Sequence, residues 1–121
     1  MYGIIIRDTF SAAHYLRGYK GKCERIHGHN YSVEVQIEGE NLDNIGILWD
    51  FNEGKELLRG ILEELDHSLL NKDSPLGSLN PTAENIARFI FEKIRENLPP
   101  HLRLKRVIVW ENQNSAAYYE E

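Results

Sequence analysis

The run Cys23-Glu24-Arg25-Ile26-His27-Gly28-His29, continuing through Asn30-Tyr31-Ser32-Val33-Glu34-Val35-Gln36-Ile37, decides how the chain reads. Tyr31, Val33, Val35 and Ile37 alternate with polar residues, the period-two pattern of a strand over roughly 29–39 with one face buried. His27 and His29 lie two apart, so on a strand that begins near here both imidazoles project to one face. His14 closes an earlier β-like run, and antiparallel pairing of the two runs brings it beside the other two. Three neutral imidazoles suit Zn²⁺, and three protein ligands leave the fourth position for water or substrate, the pattern of a catalytic zinc. Other readings stay open at this point. Isolated histidines are usually surface or core residues without a ligand role. Cys23 is also available as the fourth ligand of a closed structural site, although structural sites are usually richer in cysteine.

Working outward, the chain of 121 residues fits one domain, 1–121. A single cysteine excludes an internal disulfide framework and reads as cytosolic. The net charge of −5 argues against general nucleic-acid binding, which needs a basic face. Ile4-Ile5-Ile6 is cut short by Arg7 and Asp8, so neither a signal-peptide core nor a membrane-length apolar run is expected. Positive charge is locally dense: Arg17, Lys20, Lys22 and Arg25 crowd the loop around Cys23. Such a run is ordinarily solvated surface, but beside a metal site it also suits an anionic substrate such as a phosphate ester.

Residues 2–14 alternate in part and read as a strand, with a bulge where Asp8 interrupts the apolar parity of Ile4, Ile6, Phe10 and Ala12. Residues 15–26 form a loop, 39–44 a turn, and 45–49 a short extended piece. Asp50 caps a helix whose apolar positions are Phe51, Leu57, Leu58, Ile61, Leu62 and Leu65. After a loop over 71–81, Asn80 caps a second helix with Pro81 at its first position. Ile86, Phe89, Ile90 and Ile94 form that helix's stripe, and Pro99-Pro100 ends it. Strands over 102–110 and 116–120 follow. The order ββααββ is an α+β domain: an antiparallel four-stranded sheet with two helices on one face. The other face carries apolar residues too, which points to oligomerisation.

Taken together, Phe10-Ser11-Ala12-Ala13-His14, Cys23-x-x-x-His27-Gly28-His29, Leu65-Asp66-His67, Pro81-Thr82-Ala83-Glu84-Asn85 and Glu111 resemble the 6-pyruvoyltetrahydropterin synthase / 6-carboxytetrahydropterin synthase family. The likeness covers essentially the whole chain. It implies a tunnelling fold (T-fold), in which the sheets of three subunits close into a barrel and two rings stack as a homohexamer, with active sites at subunit interfaces. It implies a pterin substrate, 7,8-dihydroneopterin triphosphate. Residue by residue, His14, His27 and His29 match the zinc ligands, and Cys23 matches the general base. Asp66 and His67 match the proton relay, and Glu111 matches the carboxylate that anchors the pterin ring. Thr82 and Glu84 are secondary candidates for substrate contact. Without the resemblance, Asp66-His67 reads as a helix C-terminus, Glu111 as a turn residue, and Thr82 and Glu84 as helix capping and first-turn charge.

The short spacing from Cys23 to His27 resembles the carboxytetrahydropterin synthases of queuosine biosynthesis more than the animal pyruvoyl enzymes of tetrahydrobiopterin synthesis. The implied reaction gives 6-carboxy-5,6,7,8-tetrahydropterin, acetaldehyde and triphosphate. Glu24 beside Cys23 resembles dual-function members that also make 6-hydroxymethyl-7,8-dihydropterin for folate; it equally reads as a solvated charge among basic neighbours. The remaining alternatives are a pyruvoyl synthase, a pterin-binding module without turnover, and a protein with a purely structural zinc, which would unfold when stripped of metal.

Overall fold

The computed structural model describes residues 1–21 and 24–121. Its elements are β1 (Tyr2–His14), β2 (His27–Gly39), α1 (Phe51–Glu63), β3 (Ser68–Leu69), α2 (Ala83–Asn97), β4 (Arg103–Trp110) and β5 (Ala116–Tyr119). The strands form one sheet in the order β3-β1-β2-β4-β5. All pairings are antiparallel except β3 with β1, which is parallel. The expected four strands are all present. The added strand, β3, spans Ser68–Leu69 and is too short for a periodic signal.

β1 and β2 pair without interruption from Tyr2↔Gly39 to His14↔His27. Asp8 therefore causes no bulge. It stays on the helix-facing parity because Arg59 of α1 reaches it, Nη1 to Oδ1 at 3.3 Å, so the charge is met by a partner instead of being turned to water. The register shift lies elsewhere, between Gln36 and Ile37 opposite β4. The extended piece expected over 45–49 is instead a turn and an irregular approach to α1: Asp43 Oδ1 accepts from the backbone N–H of Ile45 and Ile47 at 2.9 and 3.0 Å.

Asp50 caps α1 as expected, accepting from Asn52 N–H at 2.8 Å. Phe51 is 54% exposed and does not join the stripe; Leu58, Ile61, Leu62 and Leu65 do. Gly54 sets how closely α1 lies on the sheet, because a Cβ there would sit 3.0 Å from Ile6 Cδ1. The cap of α2 is Thr82, whose hydroxyl accepts from Asn85 N–H at 3.1 Å, two residues later than expected. Asn80 is engaged elsewhere: its Oδ1 accepts from Arg17 N–H at 2.8 Å, and its Nδ2 donates to Arg17 O at 3.2 Å. On α2 the buried stripe includes Phe91, and Phe89 is only half-buried.

Both helices cover one face of the sheet. Ile6, Phe10, Tyr31, Val33, Val35, Ile37, Val107 and Val109 meet Leu58, Leu62, Ile86, Ile90 and Ile94 in one apolar core. Truncating a fully buried Leu62 or Ile90 to alanine would cost about 2–5 kcal/mol. The opposite face mixes ion pairs such as Arg7–Glu34, 3.5 Å, with exposed Ile5 and Tyr118. That mixture leaves it wetter than an ordinary core surface.

Candidate active site

The three histidines converge because the strand register puts them together. His14 is the cross-strand partner of His27, and His29 lies opposite Ala12 one step along the same face. Their ring centroids are 4.5–5.1 Å apart, and one nitrogen from each lies within 4.8 Å of the others. Backbone carbonyls fix two of the rings. His14 Nδ1 is 2.7 Å from Pro81 O and His27 Nδ1 is 2.7 Å from Arg25 O. A carbonyl only accepts, so both Nδ1 atoms carry a proton, and in the neutral ring Nε2 is left to present its lone pair. Those two Nε2 atoms stand 3.0 Å apart. Two facing acceptors repel unless a cation or a proton lies between them. His29 Nε2 is buried and has no hydrogen-bond partner among the described residues.

This donor set fits zinc. The Nε2 spacing is close to the roughly 3.3 Å between tetrahedral ligands bound at 2.0–2.1 Å, and the carbonyl-held Nδ1–H is the outer-sphere support a ligating imidazole needs. Burial holds the pKa of His14 below its ordinary 6.5, outweighing the Pro81 hydrogen bond, which pulls the other way. Burial likewise lowers that of His29 against the opposing pull of Glu111. Both rings are therefore neutral, in the ligating form, at neutral pH. Tyr31, fully buried beneath the cluster, places its hydroxyl 3.2 Å from His14 Nδ1, and burial raises its own pKa.

Glu111 stands at the rim of the cluster, 3.8 Å from His14 Nε2 and 29% exposed. With Thr82 and Glu84 it lines a cleft of about 290 Å³ between the start of α2 and the β4–β5 turn. These three candidates, far apart in sequence, thus share one recess beside the histidines. Asp66 and His67 form a separate pair at the outer edge of β1, His67 Nδ1 to Asp66 Oδ1 at 3.0 Å. Ser11 N–H also donates to that oxygen at 2.8 Å, and this hydrogen bond is the main cause of a lowered Asp66 pKa. His67 takes φ 56°, a left-handed conformation uncommon outside glycine, held by its own N–H donating to Ser11 O at 2.6 Å. It shares an open groove with His29 and Asn30.

Cys23 lies outside the described residues. Glu24 is exposed, with its N–H on Gly21 O at 3.2 Å. Of the basic cluster, Arg17 is already committed: its guanidinium donates to the carbonyls of Asn71, Ser78 and Leu79 at 3.1–3.2 Å. It ties two loops together and is not a free anion site. The parts missed by sequence reasoning are the Pro81 and Arg25 carbonyls, Tyr31 and Arg59. Backbone carbonyls carry no sequence signal, Tyr31 read only as strand core, and Arg59 sits on a helix face that looks solvated.

An α+β sheet with helices on one face and a trihistidine cluster beside an acid-rimmed cleft is the arrangement of a T-fold enzyme of the pterin-synthase class. The chain belongs to the 6-pyruvoyl tetrahydropterin synthase family, which it matches over residues 3–121. It is 44% identical to the "Dihydroneopterin monophosphate aldolase" of Pyrococcus furiosus over 89% of this chain and 88% of that one. It is 39% identical to an Archaeoglobus fulgidus protein provisionally named a 6-carboxy-5,6,7,8-tetrahydropterin synthase, over 93% and 90% of the two chains. The 6-pyruvoyl tetrahydropterin synthase structure of Caenorhabditis elegans superposes with a TM-score of 0.88 at 30% identity, covering 99% of this chain and 95% of that one. Tetrahydropterin synthases are lyases, and this chain is an enzyme of that kind.

Proposed function

We propose that the protein is a zinc-dependent lyase that cleaves the side chain of a phosphorylated 7,8-dihydroneopterin, converting the triphosphate and one water to 6-carboxy-5,6,7,8-tetrahydropterin, acetaldehyde and triphosphate. The observation that carries this reading is the facing pair of Nε2 atoms, His14 and His27 at 3.0 Å, with the buried His29 Nε2, which has no partner among the described residues, beside them. Bound by these rings, zinc supplies Lewis acidity to the hydroxyls of the substrate side chain. Glu111, with Thr82 and Glu84 in the same recess, accepts from the ring N–H and amino group of the pterin and so orients it. Cys23 removes a side-chain proton; a thiolate near a cation is available as a base near neutral pH. His67, oriented by the Asp66 carboxylate, moves the proton onward.

A second reading has its own support. The Pyrococcus furiosus relative is named for aldol cleavage of the monophosphate, and Glu24 adds a carboxylate next to Cys23. On that reading Glu24 acts as base and 6-hydroxymethyl-7,8-dihydropterin leaves, with glycolaldehyde phosphate as the other product. The first reading places the protein in queuosine biosynthesis, the second in folate-type pterin synthesis. Both share the zinc ligands and the pterin anchor.

The homohexamer rests on sheet edges. Among the described residues, β3 covers β1 only at Ala12 and Ala13, and β5 has no strand on its outer side. Neighbouring subunits would continue the sheet there. A cytoplasmic location follows from the single cysteine; among the described residues no helix is long and apolar enough to cross a membrane.

Product analysis tests the reading. Zinc-loaded protein is incubated separately with dihydroneopterin triphosphate and monophosphate, and the pterins are separated and weighed by mass spectrometry. Carboxytetrahydropterin with acetaldehyde supports the first reading. Hydroxymethyldihydropterin, lost in Glu24→Gln and kept in Cys23→Ala, supports the second. A pyruvoyl product alone moves the protein to tetrahydrobiopterin-type chemistry, and no turnover leaves a pterin-binding module.

A further inference from the structure

Arg59 is the residue that the proposed chemistry leaves without a part. It sits on α1, and its guanidinium reaches under β1 to two carboxylates at once. Nη1 lies 3.3 Å from Asp8 Oδ1 and donates to Thr9 O at 3.1 Å, while Nη2 lies 3.6 Å from Asp66 Oδ2. Its Nε and Nη2 atoms are shielded from solvent and have no hydrogen-bond partner among the described residues, so Arg59 meets Asp66 as an ion pair at 3.6 Å. The other Asp66 oxygen, Oδ1, is occupied by Ser11 N–H at 2.8 Å and by His67 Nδ1 at 3.0 Å. The carboxylate is therefore hydrogen-bonded by a backbone amide at one oxygen and faced by a shared, solvent-shielded cation at the other.

We propose that Arg59 is a positioning residue: by bridging Asp8 and Asp66 it fixes the plane of the Asp66 carboxylate, and through it holds His67 in the Nδ1–H tautomer with Nε2 turned outward to exchange a proton. The physical argument has two parts. A free neutral imidazole favours the opposite tautomer, so a correctly aimed acceptor is needed to hold the proton on Nδ1. His67 is 82% exposed on its side chain, so packing does not supply the constraint; the Asp66 hydrogen bond does. Without Arg59, Asp8 and Asp66 become two carboxylates of like charge with no cation between them, and Asp66 turns away. The catalytic consequence rests on the lyase reading above; the tautomer does not.

Three variants test it: Arg59→Met, Arg59→Lys and Arg59→Met/Asp8→Asn. The ring ¹⁵N shifts of His67, assigned with His67→Gln, report the tautomer in each folded protein without substrate. Arg59→Met is expected to lose the Nδ1–H tautomer. Its kcat should fall about 10- to 100-fold, within the range general acid–base groups contribute, with KM changed little. The Asp8→Asn second change removes the repulsion and restores part of both. Arg59→Lys, whose single ammonium cannot fork, falls between, and it carries the test if the methionine variant does not fold. An unchanged His67 tautomer in Arg59→Met, or in Arg59→Lys if that variant alone folds, overturns the proposal. A tautomer change with no restoration in the double variant overturns the bridging argument. Absence of turnover in the unsubstituted protein overturns the lyase reading alone, because the nitrogen shifts still decide the role of Arg59.

Discussion

The molecule holds two histidine sites a few residues apart along β1, and they treat the same side chain in opposite ways. At His14 the imidazole is fully buried and its Nδ1–H is bound by a backbone carbonyl. At His67 the ring is largely exposed and its Nδ1 is bound by a carboxylate. A carbonyl fixes direction without stabilising a positive ring strongly, and burial disfavours the charge further, so His14 and His29 stay neutral, the form that can ligate a metal. A carboxylate fixes direction and sets a formal charge beside the ring, the arrangement that a proton relay uses. On the proposed reading, the partner atom of Nδ1, more than the histidine, divides metal binding from proton transfer.

The largest effect that would break this comparison comes from His29→Ala. Removing one of the three proposed ligands should abolish stoichiometric zinc and lower turnover by about a thousandfold or more, since Lewis-acid assistance is worth several kcal/mol and each 1.4 kcal/mol is tenfold. Metal analysis and steady-state rates would measure it, and circular dichroism should show the fold intact. Unfolding on zinc removal would instead make the metal structural.

An acid titration of the zinc-free protein sharpens the contrast. His14 and His29 have folded pKa values below the ordinary 6.5. Between those values and 6.5 the unfolded chain binds more protons, so their stabilising contribution is present above 6.5 and lost as pH falls through the folded values. Asp66, lowered from 3.8 by Ser11 N–H, contributes above its unfolded value and is lost only in stronger acid. The thermal midpoint should therefore begin to fall below about pH 6.5 from the cluster. His14→Gln should remove part of that first decline and leave the low-pH decline in place. A midpoint flat down to pH 5 would show that the cluster rings are not held neutral by burial.

The smallest effect expected is that of Thr82→Ala. It removes the cap acceptor of Asn85 N–H and should cost about 1 kcal/mol of stability, read as a lowered thermal midpoint. Because the cap follows Pro81, whose carbonyl aims His14, zinc affinity should weaken modestly as well. An unchanged affinity would mean that the Pro81 carbonyl is held by something other than the helix start.

Much of this was legible in the chain. Period-two alternation over Tyr31–Ile37 and helical spacing around Leu58 and Ile90 are strong local signals, and they recover the strands, the helices and their order. The His-x-His spacing combined with antiparallel pairing brings His14 to the other two. What escaped depends on partners far off in sequence. Asp8 looked like an interruption because Arg59, its partner, lies on another element. Asn80 looked like the cap of α2 because its hydrogen bonds to Arg17 have no local signature. The strand Ser68–Leu69 is two residues long, and the turn after Asp43 is made by one side chain accepting two amides.

The pairing of His14 with His27 is the last rung of the β1–β2 ladder. Strand ends fray, and residues 15–26 begin where this ladder stops. An ion held by that rung would act as a clasp, closing the hairpin at its loosest point. The segment on the far side of the clasp carries both Cys23 and Glu24. Metal loading would then be visible as slowed amide exchange at residues 12–14 and 27–29 when zinc is added.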